Sequence, residues 1–474
     1  MADFVSFNEF LHRTETARLE HHLDVIKKGL GRLFPRTRRT LTTTALYDQA
    51  AAEFANIRRF VHEYYQHSRC VHSFLDSSGN HVDCIPIGQH PALLAARKAG
   101  IQVNLKHDPP PARPKVTNLN EGQPGLGRER PVSQLGAHKS DLYGHEWVCP
   151  EGCVPVRRIT IPRIARMGTL HNFFRKGPPP TAASPAAPVT VGPGGTMKTL
   201  PMPPAPGSAA LPAATGPDGF THAYAIAATE EGSYAGCATS LNKWRPRSVP
   251  GDMSLSQLWI RRSVTFSRFP QTVESGWTVQ PSRTGHLDPT LFVFVNPDGY
   301  GPHSGYGLGF IPSEGTPLVL DMPLPDVSVE NGTQFNLVLQ WNLDSSGDWV
   351  LFTLDPSNPE QMVKVGHIPG GLYAAGGDNP WNRIDFGGEV ASLQNDPRTG
   401  QMGSGKFPAD PVNDGFRSVA FQAAISIRRA GTNSMKVVPL NEIDTGDHAS
   451  YRLAVGPSNV AGATIYFGGP GDAG

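Results

Sequence analysis

Two glutamates in the carboxy-terminal half sit on strand-like runs beside glycine. In Pro270-Gln-Thr-Val-Glu-Ser-Gly-Trp-Thr-Val-Gln280, period-two alternation puts Thr272, Glu274, Gly276, Thr278 and Gln280 on one face. Val273, Trp277 and Val279 take the other. In Arg383-Ile-Asp-Phe-Gly-Gly-Glu-Val390, Asp385, Gly387 and Glu389 share a face, opposite Ile384 and Phe386. A glycine beside each glutamate leaves room above the sheet for another backbone to approach. Gln257 shares a face with Leu255 and Trp259, an amide among large side chains. The bland reading of these faces is a solvated sheet surface with ordinary glutamates.

The chemistry open to such a pair is general acid–base catalysis. Two carboxyl groups facing one water cannot both ionise cheaply, so one keeps a proton while its neighbour is a carboxylate. The carboxylate takes a proton from water as it attacks a carbonyl. The protonated partner polarises that carbonyl and later protonates the leaving group. Because the pair titrates as a unit, spacing alone does not say which glutamate is which. Gln257 is placed to donate to a developing oxyanion, a contribution of about 3–4 kcal/mol in comparable sites.

Other chemistries are poorly represented. No Gly-x-Ser-x-Gly, His-Glu-x-x-His, P-loop or dinucleotide fingerprint occurs. Cys149-Pro-Glu-Gly-Cys153, near His145, has the gap of a zinc half-site, but no second pair at ligand spacing accompanies it. Four cysteines before the midpoint (Cys70, Cys84, Cys149, Cys153) allow two disulfides and leave Cys237 odd. A structural disulfide or a thiol is the favoured reading over a metal. His62 and His67 are five residues apart, which does not stack them on one helix face. Neither metal nor cofactor is expected.

The elements that must position the glutamates are strands. After residue 219 the chain runs through HAYAIAA, LSQLWI, TVESGWTVQ, TLFVFV, FNLVLQWN, DWVLFTL, RIDFGGEV and SVAFQAAISI, separated by turns such as NPDG, SSGD and GGDNP. Many short strands without a helical period predict an antiparallel two-sheet β-sandwich. Ahead of it, residues 1–67 read as helical: Leu19, Leu23, Ile26, Leu30 and Leu33 recur at three- and four-residue spacing, closed by Pro35. Residues 68–176 read as a smaller α+β domain that opens on a hairpin around Ser77-Ser78-Gly79-Asn80. Between the two, residues 177–219 hold 12 prolines with almost no charge and no aromatic residue. Such a segment cannot offset its ordering entropy by burial and reads as a linker.

Charge divides the chain at that linker. The whole sequence is nearly neutral, 42 Lys+Arg against 41 Asp+Glu, which offers nothing to nucleic acid or to an acidic membrane. The first 180 residues carry 25 basic against 16 acidic side chains, and the remainder 17 against 25. Of the 17 histidines, 12 precede Pro180. Oppositely charged parts in one chain predict mutual docking, made pH-sensitive by histidine. No run approaches the 18 apolar residues of a membrane span. The first 30 residues lack the apolar core of a secretory signal.

Several motifs together resemble the neprosin family of glutamic peptidases. In order they are His222-Ala-Tyr-Ala, Tyr234-Ala-Gly, Ser254-Leu-Ser-Gln-Leu-Trp259, Glu274-Ser-Gly-Trp277, Asp298-Gly-Tyr300, Phe386-Gly-Gly-Glu389 and Met402-Gly-Ser-Gly-Lys-Phe407. Gly79-Asn-His-Val-Asp-Cys84, Gln89-His-Pro-Ala-Leu-Leu94 and Cys149-Pro-Glu-Gly followed by Val154-Pro-Val-Arg-Arg158 look like that family's activation segment. The resemblance implies Glu274 and Glu389 as the catalytic pair on the concave face of the sandwich and Gln257 as oxyanion support. Trp259, Trp277 and Tyr300 become candidate stacking partners for a substrate proline. It further implies an acid-active endopeptidase cutting after proline, made as a zymogen whose own propeptide (68–176) covers the catalytic domain (220–474). Secretion follows from the same resemblance, with a cytoplasmic location as the alternative that the missing signal leaves open. Lys406, where histidine is common, and the cysteine-free stretch 301–312 depart from the family pattern. Two other classes compete: a non-catalytic carbohydrate-binding sandwich with exposed aromatics, and a two-carboxylate glycoside hydrolase.

Overall fold

The computed structural model describes residues 3–33, 43–114, 132–135, 139–176, 214–215, 221–248, 251–267, 269–392, 400–408, 415–443, 450–456 and 462–471. Apart from two residues, the proline-rich linker lies outside them.

The amino-terminal part begins with α1 (Phe7–Glu15), α2 (Leu19–Leu33) and α3 (Thr43–Tyr65). Ser6 caps α1 by accepting from the Glu9 amide. A hairpin follows, β1 (His72–Leu75) and β2 (His81–Pro86), as the Ser-Ser-Gly-Asn turn predicts. Asp76 holds that turn by accepting from the Ser78 and Asn80 amides at 2.8 and 2.9 Å. Helix α4 (Pro91–Lys98) and strand β3 (Cys153–Arg157), which completes a three-stranded sheet on β2, come next. Two short helices, α5 (Ile161–Ala165) and α6 (Leu170–Phe174), end this part. Ile26, Leu30, Ile57, Val61 and Tyr65 of the first helices share one core with Val154, Ile161, Ile164 and Phe173. The helices therefore clamp the region that follows them.

The remainder is a two-sheet antiparallel sandwich. Its strands are β4 (Ala214–Thr215), β5 (Thr221–Ala228), β6 (Tyr234–Asn242), β7 (Met253–Arg262), β8 (Gln271–Val279), β9 (Thr290–Asn296), β10 (Gly305–Tyr306) and β11 (Ile311–Pro312). They continue as β12 (Asn336–Leu343), β13 (Trp349–Leu354), β14 (Met362–Ile368), β15 (Arg383–Ser392), β16 (Ala420–Arg429), β17 (Asn441–Ile443), β18 (Arg452–Val455) and β19 (Ala463–Gly468). The first sheet runs β10-β9-β8-β7-β15-β5-β17, with β4 beside β5. The second runs β11-β14-β13-β12-β6-β16-β19-β18. Between them lies a core that includes Leu258, Ile260, Trp277, Trp341, Trp349, Phe386 and Phe467. Two indoles find partners across the layers, Trp277 Nε1 on the Asn242 carbonyl at 2.9 Å and Trp341 Nε1 on Ser275 Oγ at 2.7 Å.

One disulfide forms among the described residues, Cys84–Cys149, while Cys70, Cys153 and Cys237 are thiols. Of the two bridges that four cysteines allow, one is formed. It also removes the zinc half-site, since the Cys149 sulfur is bonded to carbon-bound sulfur and not available as a thiolate. Among the described residues no helix is long and apolar enough to cross a membrane.

Candidate active site

The site is built on three adjacent strands of the first sheet. In register, Gln257 on the middle strand β7 faces Gly276 of β8 on one side and Gly387 of β15 on the other. Two residues along in opposite directions, Trp259 faces Glu274 and Leu255 faces Glu389. Alternation then sends Glu274, Gln257 and Glu389 out on one side of the sheet. The backbone that approaches these glycines is that of the neighbouring strands. A Cβ on Gly276 would meet the Ser256 carbonyl at 1.9 Å, and one on Gly387, with φ +154°, the Ala225 carbonyl at 1.9 Å. They permit close strand contact around Gln257.

Both glutamates converge on one nitrogen. Lys176 Nζ lies 2.7 Å from Glu274 Oε2 and 2.6 Å from Glu389 Oε2. All three side chains are buried, the lysine at 6% exposure. Lys176 lies two residues past the end of α6, so this cation reaches the sandwich from the amino-terminal part. Burial alone would lower its pKa, but the two carboxylates outweigh that and raise it. Its ammonium also stands over the Trp259 ring, 4.9 Å from the centroid.

Each glutamate has its own further partners. Glu274 Oε1 accepts from Thr272 Oγ1 and from Tyr300 Oη, both at 2.6 Å. Glu389 Oε2 accepts from Gln257 Nε2 at 2.6 Å, and its Oε1 lies 2.7 Å from His222 Nδ1. Burial would raise the Glu389 pKa, yet Lys176 and His222 together pull it down to about 2. Tyr300 is held at φ +63°, a left-handed conformation unusual for an aromatic residue. Asn296 fixes it by accepting the Tyr300 amide at 2.6 Å, and Asp298 accepts the Gly301 and His303 amides at 3.0 and 2.9 Å.

Five of the six side chains singled out in the sequence thus meet: Glu274, Glu389, Gln257, Trp259 and Tyr300. Trp277 does not. It points into the intersheet core, fully buried, on the face of β8 opposite Glu274, so the stacking role given to it is corrected. Period two required this, because Trp277 is an odd number of residues from Glu274. Trp259 is 5% exposed, with the Lys176 ammonium over its ring, and Tyr300 is partly buried. Gln257 directs its amide nitrogen at Glu389, so it positions a carboxylate as well as any oxyanion. Sequence reasoning missed Lys176 and His222 as neighbours of the pair, and placed Thr272 only on the face it shares with Glu274. His222 was visible only as part of a motif, and Lys176 gave no signal because its partners lie 98 and more residues away.

A second contact ties the two parts together. Arg163 of α5 and Arg283 of the sandwich both bind the buried Asp321, which is itself at φ +63°. Burial opposes ionisation of Asp321, but these guanidiniums overcome it and hold the carboxyl far below its usual range. Arg157 donates to the Asp321 carbonyl and to the Thr284 carbonyl. Farther along the interface, the Glu314 side chain accepts the Gly152 amide at 2.6 Å.

Residues 250–470 match the family model described as Neprosin. Solved structures that the chain matches include two peptidases. A scytalido-glutamic peptidase with a transition-state analog inhibitor is 10% identical, with a TM-score of 0.28, covering 52% of this chain and 98% of that one. SCP-B, a member of the eqolisin family of peptidases in complex with the tripeptide Ala-Ile-His, is 8% identical, with a TM-score of 0.25, covering 53% and 98%.

Proposed function

We propose that this chain, which carries a neprosin domain over residues 250–470, is a glutamic endopeptidase made as a zymogen, active in acid and cutting after proline. One observation carries the reading: two glutamate Oε2 atoms meet at a single point, now held by Lys176 Nζ. A water there, once the lysine withdraws, contacts both carboxyl groups.

Glu389 is the base. The His222 imidazole at its Oε1 favours the carboxylate and leaves Oε2 to receive a proton from water. Glu274 is the acid. Tyr300 and Thr272 both donate to its Oε1, so its proton resides on Oε2, beside the water. Water attacks the scissile carbonyl carbon, losing one proton to Glu389 while Glu274 protonates the carbonyl oxygen. On collapse Glu389 returns its proton to the leaving nitrogen, and the second hydroxyl proton goes back to Glu274. The sum is addition of one water across the peptide bond.

The post-proline preference is supported by the Trp259 ring, whose face becomes available to a pyrrolidine when the ammonium above it leaves. The linker begins at Gly177 with three prolines, immediately after the residue that fills the site. Zymogen control is supported by that same lysine. The Cys84–Cys149 bridge fits an oxidising compartment and hence secretion.

The test is mass-spectrometric mapping of products from an unstructured substrate at acid pH, with Glu274→Gln and Glu389→Gln in parallel. The expected result is cleavage after proline and a loss of about 10²–10⁴-fold in each variant with the fold unchanged. Normal turnover by either variant overturns the glutamic mechanism. Cuts indifferent to proline overturn the specificity alone.

A further inference from the structure

Away from the glutamates, on the second sheet, a cluster of three potential ligands has no part in the proposed chemistry. His107 comes from the amino-terminal part, Asp348 from the turn before β13, and His367 from β14. One ligand atom from each lies within 4.8 Å of the other two. The His107 and Asp348 side chains are 1% and 6% exposed, and His367 is 1% exposed.

His367 is the anomaly. Neither of its ring nitrogens has a hydrogen-bond partner, although the residue is sealed from solvent. A buried imidazole left in that condition is costly, and native interiors satisfy such groups. Its backbone is pinned on both sides, paired with Val350 of β13 and Ile311 of β11, and its ring lies 4.3 Å from the His107 ring. The ring is thus held against the cluster without a protein partner to bond.

We infer that His107, Asp348 and His367 bind a zinc ion that clips residues 101–114 to the sandwich. Two imidazoles and a carboxylate suit zinc, with a water as fourth ligand, and do not suit calcium or magnesium. Ligands about 2.0–2.1 Å from a tetrahedral zinc lie about 3.3 Å from each other. The His107 Nε2 to Asp348 Oδ2 separation is 3.2 Å, close to that spacing. The third ligand needs only a side-chain adjustment from within its 4.8 Å limit.

The surroundings are those of a held site. Asp348 Oδ1 accepts the Gly370 amide at 2.8 Å, which fixes the carboxylate and leaves Oδ2 for the ion. Lys364 Nζ donates to the Leu105 carbonyl at 3.0 Å and stands 3.2 Å from His107 Nδ1. With zinc on Nε2 the Nδ1 atom carries the proton, so Lys364 keeps its bond to Leu105 and turns from the ring. The segment bearing His107 is already laid on the sandwich. Asp108 accepts the Ser345 amide at 3.0 Å, and Gln340 donates to the Pro111 carbonyl at 3.0 Å. A zinc there adds a bond between the two parts of the chain, remote in the fold from the peptidase chemistry.

The experiment uses the full chain, stripped of metal and titrated with zinc chloride near neutral pH, with cobalt(II) as a spectroscopic substitute. The expected result is one zinc per chain, a four-coordinate cobalt absorption band, and slower amide exchange over residues 103–111. His107→Gln and His367→Gln should each weaken zinc at least ~10-fold, the low end of what losing even an outer partner costs. Circular dichroism of the metal-free variants checks the fold, and Asp348→Asn replaces any histidine variant that does not fold. Absence of saturable binding at micromolar zinc overturns the site. So does zinc binding that is unchanged in the variants, which would assign the ion to the thiols or surface histidines. None of these readouts depends on peptidase activity.

Discussion

Two buried ionic clusters join the halves of this molecule, and they are opposites in composition. At the first, one cation from the amino-terminal part, Lys176, faces two anions of the sandwich, Glu274 and Glu389. At the second, Asp321 receives one arginine from each part, Arg163 and Arg283, with Arg157 close by. If the amino-terminal part leaves, Asp321 keeps Arg283 and stays paired. Among the described residues, the basic side chain that stays beside the glutamates is His222. The Asp321 cluster is therefore a clamp that either half tolerates losing. The Lys176 cluster changes the reactivity of what it leaves behind, because two carboxyl groups at one point must then share a proton.

The largest effect should come from the clamp. Asp321→Asn removes the anion and strands buried guanidiniums, a class of change that costs about 3–5 kcal/mol. Amide exchange over α5 in the full chain should quicken by two orders of magnitude or more. Unchanged exchange would mean that Asp321 does not hold the halves together.

Next comes the lock. Lys176→Met keeps the length of the side chain and removes the charge. The full chain should then hydrolyse peptide in acid without cleavage of the linker, which gel analysis of the assayed protein verifies. A silent variant would show that bulk, and not the ammonium, keeps the site closed. The same contact sets a pH window. Glu389 ordinarily titrates near 4.5 and is held at about 2 in the docked state. The docked state therefore gains stability that is complete above about pH 4.5 and is lost as pH falls toward about 2, at most roughly 3 kcal/mol. Exchange at residues 170–176 should rise across that window in the native chain and stay flat in Lys176→Met. A native profile without that rise separates release from Glu389.

How much of this was legible beforehand follows from range. Strand periodicity placed Glu274, Gln257 and Glu389 on outward faces, because alternation is local and the strands are clear. It also put Trp277 on the opposite face, so the substrate role offered to Trp277 conflicted with the pattern that placed the glutamates. Glycine was read as room for another backbone, and at Gly276 and Gly387 that backbone is the neighbouring strand's, a register effect that no single strand reveals. Lys176, His222 and the Asp321 clamp depend on pairings far apart in sequence. His107 and His367 looked like two of many histidines until the fold set their rings against each other. Cysteine pairing was likewise undetermined by count alone.

The smallest effect expected separates the two glutamates from one another. Tyr300 Oη donates to Glu274 Oε1 from a residue held in left-handed backbone, so the fold sustains strain to keep that hydroxyl in place. Tyr300→Phe removes one hydrogen bond to a group that is charged for part of the cycle, worth about 1.5–3 kcal/mol. The released enzyme should lose about 10–100-fold in kcat, with KM little changed if the ring only orients Glu274. A rise in KM at constant kcat would make the ring a substrate contact and leave Thr272 to orient Glu274. That result would turn the proposed distinction between a hydroxyl-held acid and an imidazole-held base into one resting on His222 alone.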